Sequence, residues 1–131
     1  GGFLTGKYRA DESPPEGSGY HPEGHGDDRK VATARQIFAD SAFTAVSRME
    51  SLANECGWSV GQLAIAWVTQ QPGVVSTIIG PRTVQQFREN LGSVDVVLRE
   101  GDLERIDEIA PPGRVTVPFY EADFGPHLFH W

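Results

Sequence analysis

Thr77-Ile-Ile-Gly-Pro-Arg-Thr-Val-Gln-Gln-Phe-Arg-Glu-Asn90 carries an apolar segment through a glycine into a capped helix. Its lead-in, Val74-Val-Ser-Thr-Ile-Ile79, is bounded by Pro72-Gly73 and Gly80-Pro81 and lacks clean in/out alternation, the pattern of a strand buried on both faces. Thr83 with Gln86 three residues on predicts a capping box, Phe87 and Leu91 share a face, and Gly92 is the expected terminator. The unpaired amides of that helix N-terminus, with Arg82 beside them, put polar groups where a nucleotide phosphate binds.

Outward from this tract the chain reads mostly as helix. Phe43, Val46, Met49, Leu52, Ala53 and Cys56 follow a helical spacing over Asp40 to Cys56, with Gly57 as the terminal glycine. Ser59 and Gln62 predict a capping box opening Val60 to Gln71, whose run from Leu63 to Val68 is apolar nearly all round and so is expected to be buried on more than one side. Val94 to Leu98 is short and extended, read here as a packed connector. Leu103, Ile106 and Ile109 mark a last helix that stops at Pro111-Pro112-Gly113. Residues 1 to 8 form a glycine-rich turn with exposed amides, and Arg9 to Arg29, rich in Gly, Pro, Ser, His and charge, is a long mobile loop of the lid or linker kind. The tail from Gly113 to Trp131 is aromatic and histidine-bearing without a helical period and is expected to pack as irregular chain.

At least four helices thus accompany one interior-type strand. Such a strand has two edges to pair, and each unpaired buried backbone group costs on the order of 1–3 kcal/mol. Either Val94 to Leu98 and Val115 to Phe119 complete a small three-stranded sheet, or strands lie outside this chain; the second is the preferred expectation.

Bulk properties narrow the classes. The 131 residues suit one domain or part of one. Eleven basic against eighteen acidic residues, a net charge of −7, disfavour a general nucleic-acid surface, so any anion site must be local. The single cysteine, Cys56, forms no internal disulfide, and no apolar run approaches about 18 residues, so a cytoplasmic protein without a membrane span is expected. A first residue of glycine suggests a processed or truncated piece.

Four collinear motifs carry a resemblance. Gly1-Gly-Phe-Leu-Thr-Gly-Lys-Tyr8, Gln62-Leu-Ala-Ile-Ala-Trp67, Gly73-Val-Val-Ser-Thr-Ile-Ile-Gly80 and Gln86-Phe-Arg-Glu-Asn-Leu91 resemble the C-terminal part of an aldo-keto reductase, from Gly1 to about Pro112. The resemblance implies an α/β fold, the C-terminal part of a (β/α)8 TIM barrel whose complete form needs roughly 250 residues. It makes Val74 to Ile79 the one clear barrel strand, the eighth, in a helix-rich chain. Residues 1–30 become a cofactor loop or lid, 40–110 the helices, last strand and cofactor helix, and 113–131 a C-terminal tail.

The family transfers a hydride between NADP(H) and a carbonyl or alcohol, using a tyrosine, a lysine, a histidine and an aspartate that all precede the point matched by Gly1. No catalytic residue is therefore assigned to this chain. Lys7, Tyr8, Asp11, His21 and His25 do not substitute, since a flexible loop fixes no geometry, and no His, Cys, Asp and Glu spacing suggests a metal site.

Cofactor contacts do carry over. The resemblance implies that the backbone around Gly1, Phe3 and Leu4 follows the pyrophosphate and that Lys7 pairs with phosphate, although a solvated turn lysine is the plain reading. Gly80 admits a close backbone approach, and Arg82 stands where the family contacts the 2′-phosphate. Gln86, Glu89 and Asn90 share a helix face that would hold the adenosine end; relatives often carry a second basic residue near Gln86, so NAD also remains open. Trp58, Trp67, Phe87 and Cys56 read as packing residues. The implied partners are the N-terminal part of the barrel and a small carbonyl substrate. A non-catalytic, cofactor-sensing subunit and a truncated inactive product are the rival readings.

Overall fold

In a computed structural model the structure describes residues 2–21, 38–114 and 116. After a single 3-10 turn at Phe3–Thr5 come helices α1 (Asp40–Glu55), α2 (Val60–Thr69) and α3 (Val84–Leu91), a second 3-10 turn (Gly92–Asp95), and helix α4 (Glu100–Ile109). The first turn gives the glycine-rich start more regularity than a plain loop.

Local signals set the helix ends. Gly57, at φ 77°, ends α1 in a Schellman arrangement: its amide donates to Asn54 O at 3.1 Å and that of Trp58 to Ala53 O at 2.9 Å. The reciprocal cap of α2 forms as expected, Ser59 Oγ accepting from Gln62 N at 3.2 Å and Gln62 Oε1 from Ser59 N at 3.0 Å. At α3 only half of the expected box forms. Thr83 Oγ1 accepts from Gln86 N at 3.1 Å, but Gln86 Oε1 reaches one residue further back and takes Arg82 N at 2.8 Å. Nor does Gly92 terminate α3 through a left-handed residue; at φ −60° it stays right-handed and passes the chain into the second 3-10 turn.

The core joins these elements. Leu52, Ala53, Val60, Leu63, Ala66, Val96, Leu98 and Ile106 are buried together, with Trp58, Trp67 and Cys56 packed against them as expected of packing residues. Burial of Leu52 and Leu63, at 1 and 2% exposure, contributes about 1.5–3 kcal/mol each. Val94 to Leu98 is a connector whose first two residues lie in the 3-10 turn. Its backbone is paired by a side chain: Gln70 Nε2 donates to Val96 O at 2.8 Å, and Leu98 N donates to Gln70 Oε1 at 3.2 Å. α4 is tied to α1 by Arg105 and Glu55, 2.8 Å apart.

The expected barrel strand is not formed. Val74 to Ile79 runs without strand pairing, and no strand occurs among the described residues. Val75 and Ile78 stand 97 and 98% exposed. The physical reason is that strand hydrogen bonds are made between segments, and no described segment lies alongside to accept them. The run is held at its start by a turn bond from Val74 N to Gln71 O at 3.1 Å and further on by a side-chain contact: the Thr77 hydroxyl donates to Thr69 Oγ1 at 2.7 Å, since Thr69's own proton goes to Ile65 O. α2 and α3 likewise miss part of their burial. Val60, Leu63 and Ala66 are covered, but Val68 is exposed, and on α3 Val84, Phe87 and Leu91 are all exposed, so Phe87 is not the packing residue expected.

The loop after Tyr8 departs from expectation where it is described. Residues 9–21 are anchored by Arg9, whose Nη1 and Nη2 donate to Glu50 at 2.9 and 3.1 Å, and by Tyr20, whose ring packs tilted against Tyr8 at 5.6 Å between centroids. Tyr8 is 2% exposed, in an aromatic cluster with Phe3, Phe38 and Phe43. His25, Val115, Phe119 and the tail beyond them lie outside the described residues. Among the described residues no helix is long and apolar enough to cross a membrane, and no group of three His, Cys, Asp or Glu is placed to hold a metal ion.

Candidate cofactor-binding edge

Two short segments carry the groups singled out from sequence. The first is the 3-10 turn, flanked by Gly2 at φ 74° and Gly6 at φ 72°. Thr5 N and Gly6 N are consumed by Gly2 O and Phe3 O, so the amides of Phe3 and Leu4, ahead of the first internal bond, are the ones the turn leaves to an external acceptor. The Lys7 ammonium lies 5.0 Å from the centroid of the Tyr8 ring. A Cβ at Gly2 would stand 2.9 Å from the flexible end of Lys7, which can move aside, so it is the positive φ that favours glycine there. Phe3 turns its ring into the aromatic cluster and Leu4 is 52% exposed, which leaves their backbone rather than their side chains for an anion. Gly1 lies outside the described residues.

The second segment is the N-terminus of α3. Arg82 is exposed, and its Nη1 donates to Gly17 O at 2.6 Å. With Gln86 N capped by Thr83, the amides of Val84 and Gln85 remain in the first turn, where no intrahelical acceptor exists. Gln86 and Glu89 are exposed and Asn90 half-buried, all within α3. The Gln86 carbonyl oxygen is occupied by Arg82 N, so only its amide NH2 is available to a ligand. Glu89 is fixed through its own backbone, whose carbonyl accepts from Gln62 Nε2 at 3.1 Å. A Cβ at Gly80 would meet nothing within 4 Å, so no described residue requires glycine there.

The structure brings Arg82 to the loop, at Gly17, a contact that sequence reading missed. The same reading missed the Arg9–Glu50 anchor. The pair of tyrosines in an otherwise polar loop, Tyr8 and Tyr20, was the one local sign that this segment has apolar anchorage. Arg9 also sets the electrostatics at its base: hydrogen bonding to the guanidinium holds the Glu50 carboxyl below the usual carboxylate range. Arg105 does the same to Glu55. Beside the turn, Phe3, Leu4, Val46, Leu63, Trp67 and Ile106 help to line an apolar cavity of about 320 Å³.

An exposed guanidinium at a helix start and an ammonium over a glycine turn are the donor chemistry that suits phosphate groups in a chain of net negative charge. The profile of the Aldo/keto reductase family matches residues 1–111. The chain belongs to the aldo/keto reductase family, whose fold is a (β/α)8 barrel. It is 33% identical over 110 residues to a probable voltage-gated potassium channel subunit beta of Arabidopsis thaliana, covering 82% of this chain and 32% of that protein. It is 27% identical over 128 residues to aldo-keto reductase yakc (NADP(+)) of Schizosaccharomyces pombe, covering 98% and 35%. An L-glyceraldehyde 3-phosphate reductase of Escherichia coli strain K12 is 24% identical over 117 residues, covering 88% and 32%. The chain thus spans about a third of the length of these relatives.

Proposed function

We propose that this chain is the C-terminal, cofactor-binding portion of an aldo-keto reductase that moves a hydride between NADP(H) and a carbonyl or alcohol, with the catalytic residues on sequence preceding Gly1. The carrying observation is Arg82, an exposed guanidinium at the N-terminus of α3 in a chain whose family match covers residues 1–111. When bound, the cofactor supplies the hydride; this chain's residues bind and orient it. Lys7 and the turn amides of Phe3 and Leu4 take the pyrophosphate, Arg82 the 2′-phosphate, and Gln86, Glu89 and Asn90 the adenosine end. The Val74 to Ile79 run becomes the eighth barrel strand once its neighbours are supplied by the N-terminal part of the barrel. NADP is favoured over NAD by the arginine fork. NADPH fluorescence, followed on this chain alone and with the N-terminal part of the barrel, tests the reading. Absence of binding in both conditions removes it.

A second reading follows from the relative named as a potassium channel subunit beta: a cofactor-sensing subunit with little turnover. Carbonyl reduction by the completed barrel distinguishes the two, since a sensing subunit binds NADPH without appreciable consumption.

A further inference from the structure

The hydrogen bonds of Gln62 face two different helices. Its Oε1 accepts from Ser59 N at 3.0 Å and its backbone amide donates to Ser59 Oγ at 3.2 Å, which closes the cap of α2. The remaining bond leaves the helix: Nε2 donates at 3.1 Å to the carbonyl of Glu89, 27 positions away in the last turn of α3. A helix leaves its last four carbonyls without intrahelical amides, so this donor arrives where one is needed. Gly92 makes room for it, because a Cβ there would collide with Gln62 Nε2.

The turn of α2 that carries Gln62 also supports the glycine turn at the start of the chain. A Cβ at Gly6 would stand 3.1 Å from Val60 Cγ1, so the backbone of that turn lies against the first residue of α2. Val60, Leu63 and Ala66 are buried in the core, which leaves α2 little freedom there. The glycine turn and the last turn of α3 thus rest on one rigid element. α3 itself has no buried residue, and Val84, Phe87 and Leu91 are exposed. Its C-terminal end is therefore held by directed contacts more than by burial.

We propose that Gln62 is a positioning residue for the cofactor: anchored by the α2 cap, its amide fixes the last turn of α3 at Glu89 O, and with it the placement of Glu89 and Asn90 for the adenosine end. This rests on the dinucleotide reading above and adds to it a residue that touches no ligand. Cap and tether are separable by chemistry. Gln62→Glu keeps the acceptor for Ser59 N, in the Ser-x-x-Glu form of the same capping box, and replaces the donor that faces Glu89 O by an oxygen. Gln62→Met, of similar length, removes both.

The test is calorimetric titration of the 131-residue chain and the two variants with ADP, each alone and with the N-terminal part of the barrel. Inorganic pyrophosphate is the control that lacks adenosine. Thermal melting and amide exchange over α3 are followed without ligand. Gln62→Glu is expected to melt close to the wild-type temperature and to exchange the amides of residues 88–93 about threefold to tenfold faster. Its Kd for ADP should rise by about the same factor while that for pyrophosphate does not move. Gln62→Met should show the same loss of ADP affinity together with a lower melting temperature, so that affinity follows the tether and stability the cap.

Unchanged ADP affinity in Gln62→Glu overturns the positioning role and leaves the dinucleotide reading standing. An equal loss on pyrophosphate, the mark of added negative charge, does the same. An affinity lost in Gln62→Met and restored in Gln62→Glu assigns Gln62 to the cap alone and also overturns the role. No binding of ADP by the wild type in either condition removes the dinucleotide reading, and the positioning role with it.

Discussion

Arg82 Nη1 donates to the carbonyl of Gly17 at 2.6 Å across 65 positions of sequence. That single bond joins the loop after Tyr8, expected to fold over a cofactor, to the start of α3, where a phosphate contact is expected. It also gives Arg82 two duties, holding the loop and meeting an anion, which substitution separates by choice of cofactor. Replacement of Arg82 by alanine should weaken NADPH binding about 10–100-fold more than NADH binding, because only the former carries the 2′-phosphate while both lose the loop contact. Fluorescence titration of the completed barrel with each cofactor measures the ratio, and equal losses would exclude a 2′-phosphate contact.

Acidification should release the base of the loop. Glu50 has its carboxyl held below the ordinary range by Arg9, so the pair's contribution is complete above the ordinary glutamate pKa and is lost as pH falls through the lowered value. Protection of the amides of residues 9–21, taken relative to the intrinsic exchange rate at each pH, should therefore fall only once pH drops below the ordinary glutamate range. In Glu50→Gln, exchange should be faster at neutral pH and lose most of that dependence; a Glu50→Gln profile identical to wild type would show that the ion pair holds nothing.

Gln70 stands in for a strand partner. Its amide takes both Val96 O and Leu98 N, residues only 3 and 9% exposed. Gln70→Ala strands two backbone groups and should cost about 1–3 kcal/mol, read as a lower denaturant midpoint at unchanged slope.

Gly92 is needed for space, because a Cβ there would collide with Gln62 Nε2. The Gln62 amide cannot move aside cheaply, since it caps α2 at Ser59 and holds Glu89 O. Gly92→Ala should therefore destabilise the chain by about 1–2 kcal/mol despite the better helix propensity of alanine, and thermal melting should show a loss where propensity alone gives a gain.

Ile78 gives the sharpest check on the missing sheet. At 98% exposure, Ile78→Asp should change the stability of this chain by less than about 0.5 kcal/mol. In the completed barrel the same aspartate would be buried, and assembly should fail. Equal tolerance in both would mean that Val74 to Ile79 is not an interior strand.

The helices and their boundaries were legible because their signals are local. Gly57 closes α1, and Ser59 with Gln62 opens α2, through bonds spanning three to five residues. Family membership was legible for a related reason: four short motifs fall in fixed order along the chain, and the family profile over residues 1–111 agrees with them. The apolar run of Val74 to Ile79 was wrongly read as a formed strand, since a strand exists only through its partners and no described segment pairs with it.

Composition and spacing thus fixed the helices and the reciprocal cap of α2. The reciprocal box expected at Thr83 failed because Gln86 had a second amide within reach, that of Arg82, a choice decided by geometry rather than by residue type. Folding alone determined that the loop is anchored. Arg9 meets Glu50 from 41 positions away and Arg82 meets Gly17 from 65, and contacts between such distant residues leave no periodicity or local pattern by which a sequence could announce them.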